Sequence, residues 1–357
     1  MDGFLALAAG EDVVHVQHWA RYGECRISGG SMQASRRRAT LATVAAAAGV
    51  SVATVSKVLN DRSDVAPATR ALVRSLLQEH GYVPPRRGRT EPGTVEVQVD
   101  ELCACSSEII KGVIEAGTAS GVSVVVTRRA TGPLDVTAGR RAVITLFEEP
   151  APRQLAALSR AGLPVVVIDP LGLPGASVTS VGPTNFAGGL SATQHLLGLG
   201  HRRIAYLGGP ATAASNQARM YGYRAAMEAA DVPVLPGYVV TPGYCYPDGV
   251  RGGAALLDLS PAPTAVFVAS DEAALGAIHA ARARGLRVPE DLSVVGFDDT
   301  DVAFMSSPRL TTVRQPLRDM GAVALRTALR LAAGEEVESR HVELATELVV
   351  RESSLAA

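Results

Sequence analysis

The sequence predicts two folds in one chain. The first is a small all-α headpiece of helix-turn-helix type. The second is an α/β core of two doubly wound, parallel-sheet lobes. Three observations predict this. Residues 40–60 hold two short amphipathic stretches parted by Gly49. From residue 94 onward, apolar runs of strand length alternate with stretches of helical period. Continuous apolar strands between helices mean parallel sheets covered on both faces. The charge is also uneven. Residues 36–89 carry ten Lys or Arg against three acids, a surplus of seven on a chain of net charge −1, so the remainder carries −8. A basic module on an acidic body suits a polyanion held at one end.

The headpiece spans 38–84. Thr40 is placed to cap a first helix over 41–48, its hydroxyl accepting from an orphan N–H of the first turn. Leu41, Val44 and Ala45 recur at i, i+3, i+4 on one face. Gly49 suits the left-handed position that ends a helix. Ser51 can cap a second helix, 52–60, with Val55 and Leu59 on its apolar side. Pro67 fits the first position of a third helix, whose apolar face is Val73, Leu76 and Leu77 and whose stop is Gly81. This is the helix-turn-helix layout. Val52, Ala53, Ser56, Lys57 and Asn60 point away from the stripe and are short or flexible enough to enter a major groove.

Residues 1–35 hold no sustained period. They are read as a mis-assigned start upstream of Met32, with a disordered extension as the alternative. The stretch 85–93 is a linker of Pro, Gly and charge. The core is expected over 94–353. Its strand-like runs are 94–99, 122–126, 142–147, 164–169, 202–208, 264–269 and 292–298. Helical patterns cover 108–120, 153–161, 185–199, 219–230, 250–257, 272–284 and 317–333. Two blocks join around Gly200. Lobe 1 is expected at about 94–199 plus 300–328, and lobe 2 at about 200–299 plus 329–353. Two such lobes place a ligand in the crevice at the carboxyl ends of their strands.

Composition closes off other classes. Hydrophobic content of 47% with 19% charged residues is globular. No apolar run reaches the roughly 18 residues of a membrane span, and MDGFLALAAGEDVV lacks the basic start of a signal peptide. The chain is read as cytoplasmic. Cys25, Cys103, Cys105 and Cys245 complete no zinc set and are read as reduced thiols. Gly208 and Gly209 follow a strand without a G-x-G-x-x-G, and neither a G-x-S-x-G nor an H-E-x-x-H occurs. No enzyme, cofactor or metal is expected.

The segments GVSVATVSKVLN (49–60) and VAPATRALVRSLLQEHGYVP (65–84) resemble the headpiece of the lactose-repressor (LacI/GalR) family of bacterial regulators. HLLGLGHRRIAYLGG (195–209), RMYGYRAAME (219–228), VASDEAALGA (268–277), GLRVPEDLSVVGFDDT (285–300) and LTTVRQPLRDMG (310–321) resemble its ligand-binding core, which is like a periplasmic sugar-binding protein. The resemblance implies a repressor of transcription that binds a pseudo-palindromic duplex operator as a homodimer under a small-molecule, sugar-like effector. It assigns base readout to Val52, Ala53 and Lys57. It makes Thr40, Ser51, Thr54, Ser56, Asn60 and Tyr82 candidates for phosphate or register contacts. It assigns effector binding to Arg219 and Asp298, and makes Ser270, Asp271, Asn185 and Tyr246 further candidates. The competing structural roles are caps for Asn185 and Asp271 and a surface charge for Arg219. The family's tetramer-forming heptads are absent after LATELVVRESS, hence the dimer.

Three departures from the family pattern follow. Glu91 and Pro92 stand where the hinge helix carries its intercalating leucine, so weak operator bending is expected, with Arg86, Arg87 and Arg89 on phosphates. LCACSS (102–107) replaces a Ser/Asn-Pro-Phe-Phe run, and Ser270 replaces a frequent asparagine. The alternative function is a sugar-binding module without a transcriptional role; the basic headpiece argues against it.

Overall fold

The computed structural model describes residues 41–59, 65–79, 93–128, 139–172 and 178–357. Expectations for Thr40, Asn60, Gly81 and Tyr82, the stretch 1–35 and nearly all of the linker fall outside these residues. The chain divides into two units between Arg87 and Gly88.

The first unit holds α1 (Leu41–Ala48), α2 (Val52–Leu59) and α3 (Pro67–Glu79). Gly49 adopts φ 65°, a conformation open to glycine at little steric cost. The Val50 N–H then returns to the Ala45 carbonyl at 3.0 Å. Ser51 caps α2, its Oγ accepting from the Thr54 N–H at 3.1 Å. Val44, Ala45, Val55, Val58, Val65, Val73 and Leu77 form the buried core. Val58 joins Val55 in that core, one turn-step from the expected stripe.

The second unit contains two six-stranded sheets. The first lobe begins with β1 (Thr94–Val99), α4 (Ala104–Ala119), β2 (Ser123–Arg128), β3 (Arg140–Leu146), α5 (Pro152–Arg160), β4 (Val165–Ile168) and β5 (Thr179–Pro183). The second takes α6 (Asn185–Gly198), β6 (Ile204–Leu207), α7 (Ala214–Ala229), β7 (Val239–Val240), α8 (Tyr246–Leu257), β8 (Ala265–Val268), α9 (Asp271–Ala283), β9 (Ser293–Asp298), α10 (Asp301–Met305) and β10 (Thr311–Arg314). The chain then returns to the first lobe for α11 (Leu317–Ala332) and β11 (His341–Leu344), and ends in the second with β12 (Glu347–Val349). The strand orders are β11-β5-β4-β3-β1-β2 and β12-β10-β9-β8-β6-β7. All pairings are parallel except β10 with β12.

This corrects the expected partition of the lobes. Helix α6 packs on α7, and β10 pairs with β9, so both belong to lobe 2. Helix α11 packs on α4, and β11 extends the first sheet. The chain therefore crosses three times, near 184, 315 and 345. Polar side chains hold β10 in place: Thr312 Oγ1 donates to Asp271 at 2.6 Å, and the Thr311 N–H to Ser353 at 2.8 Å.

Period-two burial explains the second sheet. Ala205, Leu207, Val266, Val268 and Val294 pack with the α8–α9 side, while Ile204, Tyr206, Phe267, Val295 and Phe297 pack with the α6–α7 side. The helix pairs approach very closely. A Cβ on Gly112 would lie 2.0 Å from the Arg318 carbonyl oxygen, one on Gly249 2.0 Å from that of Ala273, and one on Gly189 2.2 Å from that of Arg219. Each helix pair thus rests on glycine set against backbone.

Candidate functional site

The strands of both lobes end at a common crevice. Asp169 follows β4, Asp298 ends β9, and Ala269 and Ser270 follow β8. Asn185 opens α6 and Arg219 lies on α7. The Gly189 contact fixes the backbone of Arg219 against α6, so these two helices bring Asn185 and Arg219 together.

Arg219 is 3% exposed. Its Nε donates to Asn185 Oδ1 at 2.8 Å, and its Nη1 to the Ala269 carbonyl at 2.6 Å. Asp298 Oδ1 lies 3.9 Å from Nη1. The guanidinium lies over the Phe297 ring at 3.8 Å, with Tyr244 at 5.8 Å. Asn185 Nδ2 reaches Asp169 Oδ1 at 3.4 Å. A polar chain therefore runs from Asp169 of lobe 1 through Asn185 and Arg219 to Asp298 of lobe 2. Arg219 is not the surface charge of the competing reading.

Burial sets the electrostatics. It pushes the Asp298 carboxyl up to about 6, with Arg219 pulling the other way. It also raises Asp169 against the same guanidinium. Burial opposes the charge on Arg219, yet Tyr244, Asp298 and Asp169 outweigh it. Gln315, at the second crossing, donates from Nε2 to Asp298 Oδ1 at 2.6 Å. A forked cation, carboxylate acceptors, an amide and the Tyr244 ring form the donor, acceptor and apolar set that a polyhydroxylated ring requires.

Other expected residues stand differently. Ser270 caps α9, its Oγ accepting from the Ala273 N–H at 3.2 Å and donating to the Tyr244 carbonyl at 2.6 Å. Asp271 is wholly buried and takes the Thr300 N–H at 2.9 Å besides Thr312. Its carboxyl is raised by burial and by Asp298. Tyr246 is not brought to Arg219; its ring meets His279 edge-on at 6.0 Å. Tyr244 stands there in its place. Tyr244, Asp169, Phe297 and Gln315 went unnamed in the sequence. Of these, Phe297 and Gln315 lay in quoted motifs, GLRVPEDLSVVGFDDT and LTTVRQPLRDMG.

On the headpiece, Val52 is 47% exposed, and Ala53 and Lys57 are also exposed on α2. Ser51 and Thr54 bond each other through their hydroxyls at 2.9 Å. Nothing is described of the Ser56 side chain.

Residues 40–85 match the model for bacterial regulatory proteins of the lacI family, and 193–354 match that for a periplasmic binding protein-like domain. The chain belongs to the lacI family of bacterial regulatory proteins and is a DNA-binding transcriptional regulator. It is 38% identical over 342 residues to the HTH-type transcriptional regulator CelR of Thermobifida fusca, covering 89% of this chain and 99% of that one. It is 32% identical over 329 residues to catabolite control protein A of Priestia megaterium, covering 88% and 99%. Among solved structures it is similar to a CelR–cellobiose complex (TM-score 0.66, 37% identity, 88% of this chain and 100% of that one). It is also similar to the lac repressor dimer bound to operator and the anti-inducer ONPF (TM-score 0.74, 29% identity, 90% and 100%). These relatives are transcriptional regulators, and among the described residues no helix is long and apolar enough to cross a membrane.

Proposed function

We propose that this regulator is a dimeric repressor whose two headpieces meet a pseudo-palindromic operator and whose interlobe crevice takes a sugar. The observation that carries the effector half is the buried chain Asp169–Asn185–Arg219–Asp298. A buried cation of lobe 2, tied to lobe 1 through Asn185 and Asp169 and left with donor capacity, is a site for hydroxyls rather than packing. Arg219 and Asp298 hold the sugar hydroxyls, Asn185 orients Arg219, and Tyr244 supplies an apolar wall, while the wholly buried Phe297 ring supports the Arg219 guanidinium. Ser270 and Asp271 act through the scaffold. The similarity to CelR in complex with cellobiose makes a short β-linked glucan the first ligand to test.

On DNA, Lys57 donates to guanine O6 and N7, while Val52 and Ala53 make apolar contact, for example with a thymine methyl. Ser51, Thr54, Ser56, Thr40, Asn60 and Tyr82 position the helix on phosphates. Ligand controls the operator only by binding the open and closed lobes unequally.

A thermal-shift series with cellobiose, cellotriose, maltose and lactose tests the effector half. Ligand at about a hundred times its Kd stabilises the core by ~2.7 kcal/mol, a shift of several degrees. Arg219→Met removes that shift. A full shift in the Arg219 variant refutes the assignment.

A further inference from the structure

The run that replaces the expected aromatic wall brings two thiols to the crevice. Cys103 is the N-cap of α4, with the Ser106 N–H donating to its sulfur at 3.5 Å while the Ser106 hydroxyl accepts from the Cys103 N–H at 2.8 Å. Cys105 lies two residues on, in the first turn of α4, close enough to Cys103 and to the Asp298 carboxylate for each to shift the other's ionisation. Both are half-buried free thiols. Ala104 itself crosses the crevice, its N–H donating to Glu272 Oε1 of lobe 2 at 3.4 Å. The pair therefore sits where the lobes touch, and neither thiol has a role in the operator or sugar reading.

We propose that Cys103 and Cys105 form an oxidisable dithiol that a peroxide converts to an intramolecular disulfide. The Cys103 thiolate attacks a peroxide oxygen, the O–O bond breaks, and hydroxide leaves to be protonated to water. The resulting sulfenic acid is attacked by the Cys105 sulfur, which gives up its proton as the hydroxyl departs as a second water. The two sulfurs lose one electron each, and the peroxide gains both. The roles divide by environment. The Cys105 thiol and Ser106 hold the Cys103 thiol down to about 6, against burial and Glu272. Cys105 is raised by Cys103, by burial and by Asp298, and so remains the protonated resolving partner. A low-pKa thiol at a helix N-terminus beside a second thiol is the setting in which oxidation is site-selective. The disulfide would take Cys103 from its cap at the start of α4, beside the Ala104 link to Glu272. Its effect on ligand rests on the sugar reading of the crevice; the thiol chemistry does not.

The test uses the full chain with Cys25→Ser and Cys245→Ser. Native protein is exposed to dilute hydrogen peroxide, blocked with N-ethylmaleimide and digested with trypsin. The peptide 90–111 carries both thiols. The expected result is joint loss of both thiols, with that peptide lighter by two hydrogens, faster in folded than in urea-unfolded protein. In the unsubstituted chain, iodoacetamide at pH 7 labels Cys103 at least about tenfold faster than Cys245. Separate sulfinic acids, thiols that remain alkylable, or equal rates in the unfolded chain overturn the proposal. Loss of the cellobiose shift on oxidation links the pair to the ligand. With the disulfide formed, absence of that shift even in reduced protein refutes the sugar reading and leaves the dithiol standing.

Discussion

Arg219 and Asp298 are both buried, and their attraction offsets only part of the cost of burying the carboxylate. The Asp298 carboxyl is pushed up to about 6 by burial despite Arg219, whereas an unfolded Asp titrates near ~3.9. Between those values the folded chain holds a proton that the unfolded chain has released. Stability from this group is therefore complete below about 4 and is lost as pH rises through 6. At pH 7 the ionised carboxylate bears its full burial cost. Asp298→Asn should stabilise the ligand-free core at pH 7 by on the order of 1–3 kcal/mol. The gain should shrink through pH 6 and vanish near 4, while sugar binding is lost. Melting temperatures of both proteins across that range check it. At the other end of the chain, Lys57→Ala should relax one base position and cost ~1–3 kcal/mol at the specific site, read from binding to an operator and its single-base variants.

At the scale of elements, the close helix pairs carry the architecture. A Cβ on Gly189 would meet the Arg219 carbonyl oxygen at 2.2 Å, and one on Gly222 the Phe186 carbonyl oxygen at 2.3 Å. Backbone cannot yield as a flexible side chain can, so α6 and α7 must part. Gly189→Ala should destabilise the core by about 1–3 kcal/mol and weaken ligand binding further, because Asn185 and Arg219 separate. Gly112→Ala, between α4 and α11, should cost similar stability without moving that pair. Denaturant melts with and without cellobiose separate the two variants. The strands that were legible in sequence are the β-branched central runs, such as β1, β4 and β9. Those missed are polar or short: β5, β7 and β11, together with β10, whose Thr311 and Thr312 are fully buried only because Ser353 and Asp271 receive them. Helices α4, α7 and α8 begin four or five residues before their apolar period does. The early start of α8 carries the Tyr246 ring to His279 rather than to Arg219.

The whole molecule was readable where motif and periodicity agree, as in the headpiece and the two lobes. Tertiary return paths were not readable. The three crossings put β10 with lobe 2 and α11 with lobe 1, and nothing local to LTTVRQPLRDMG divides it between them. The same holds for the crevice: Asp169, Tyr244 and Gln315 lie far from Arg219 in sequence and join its network, through Asn185, the Tyr244 ring and Asp298, only in the fold. Oxidation at Cys103 and Cys105 would act at that junction. The central claim is that an exposed face of α2 grips duplex DNA while the crevice sets the grip. Fluorescence anisotropy of the full chain, with duplex from its own promoter neighbourhood, measures this directly. The account predicts tight binding that falls linearly with log salt, shifted about tenfold or more by the sugar that raises the melting temperature. Failure to bind any such duplex at low ionic strength, or binding unchanged by that sugar, would contradict it.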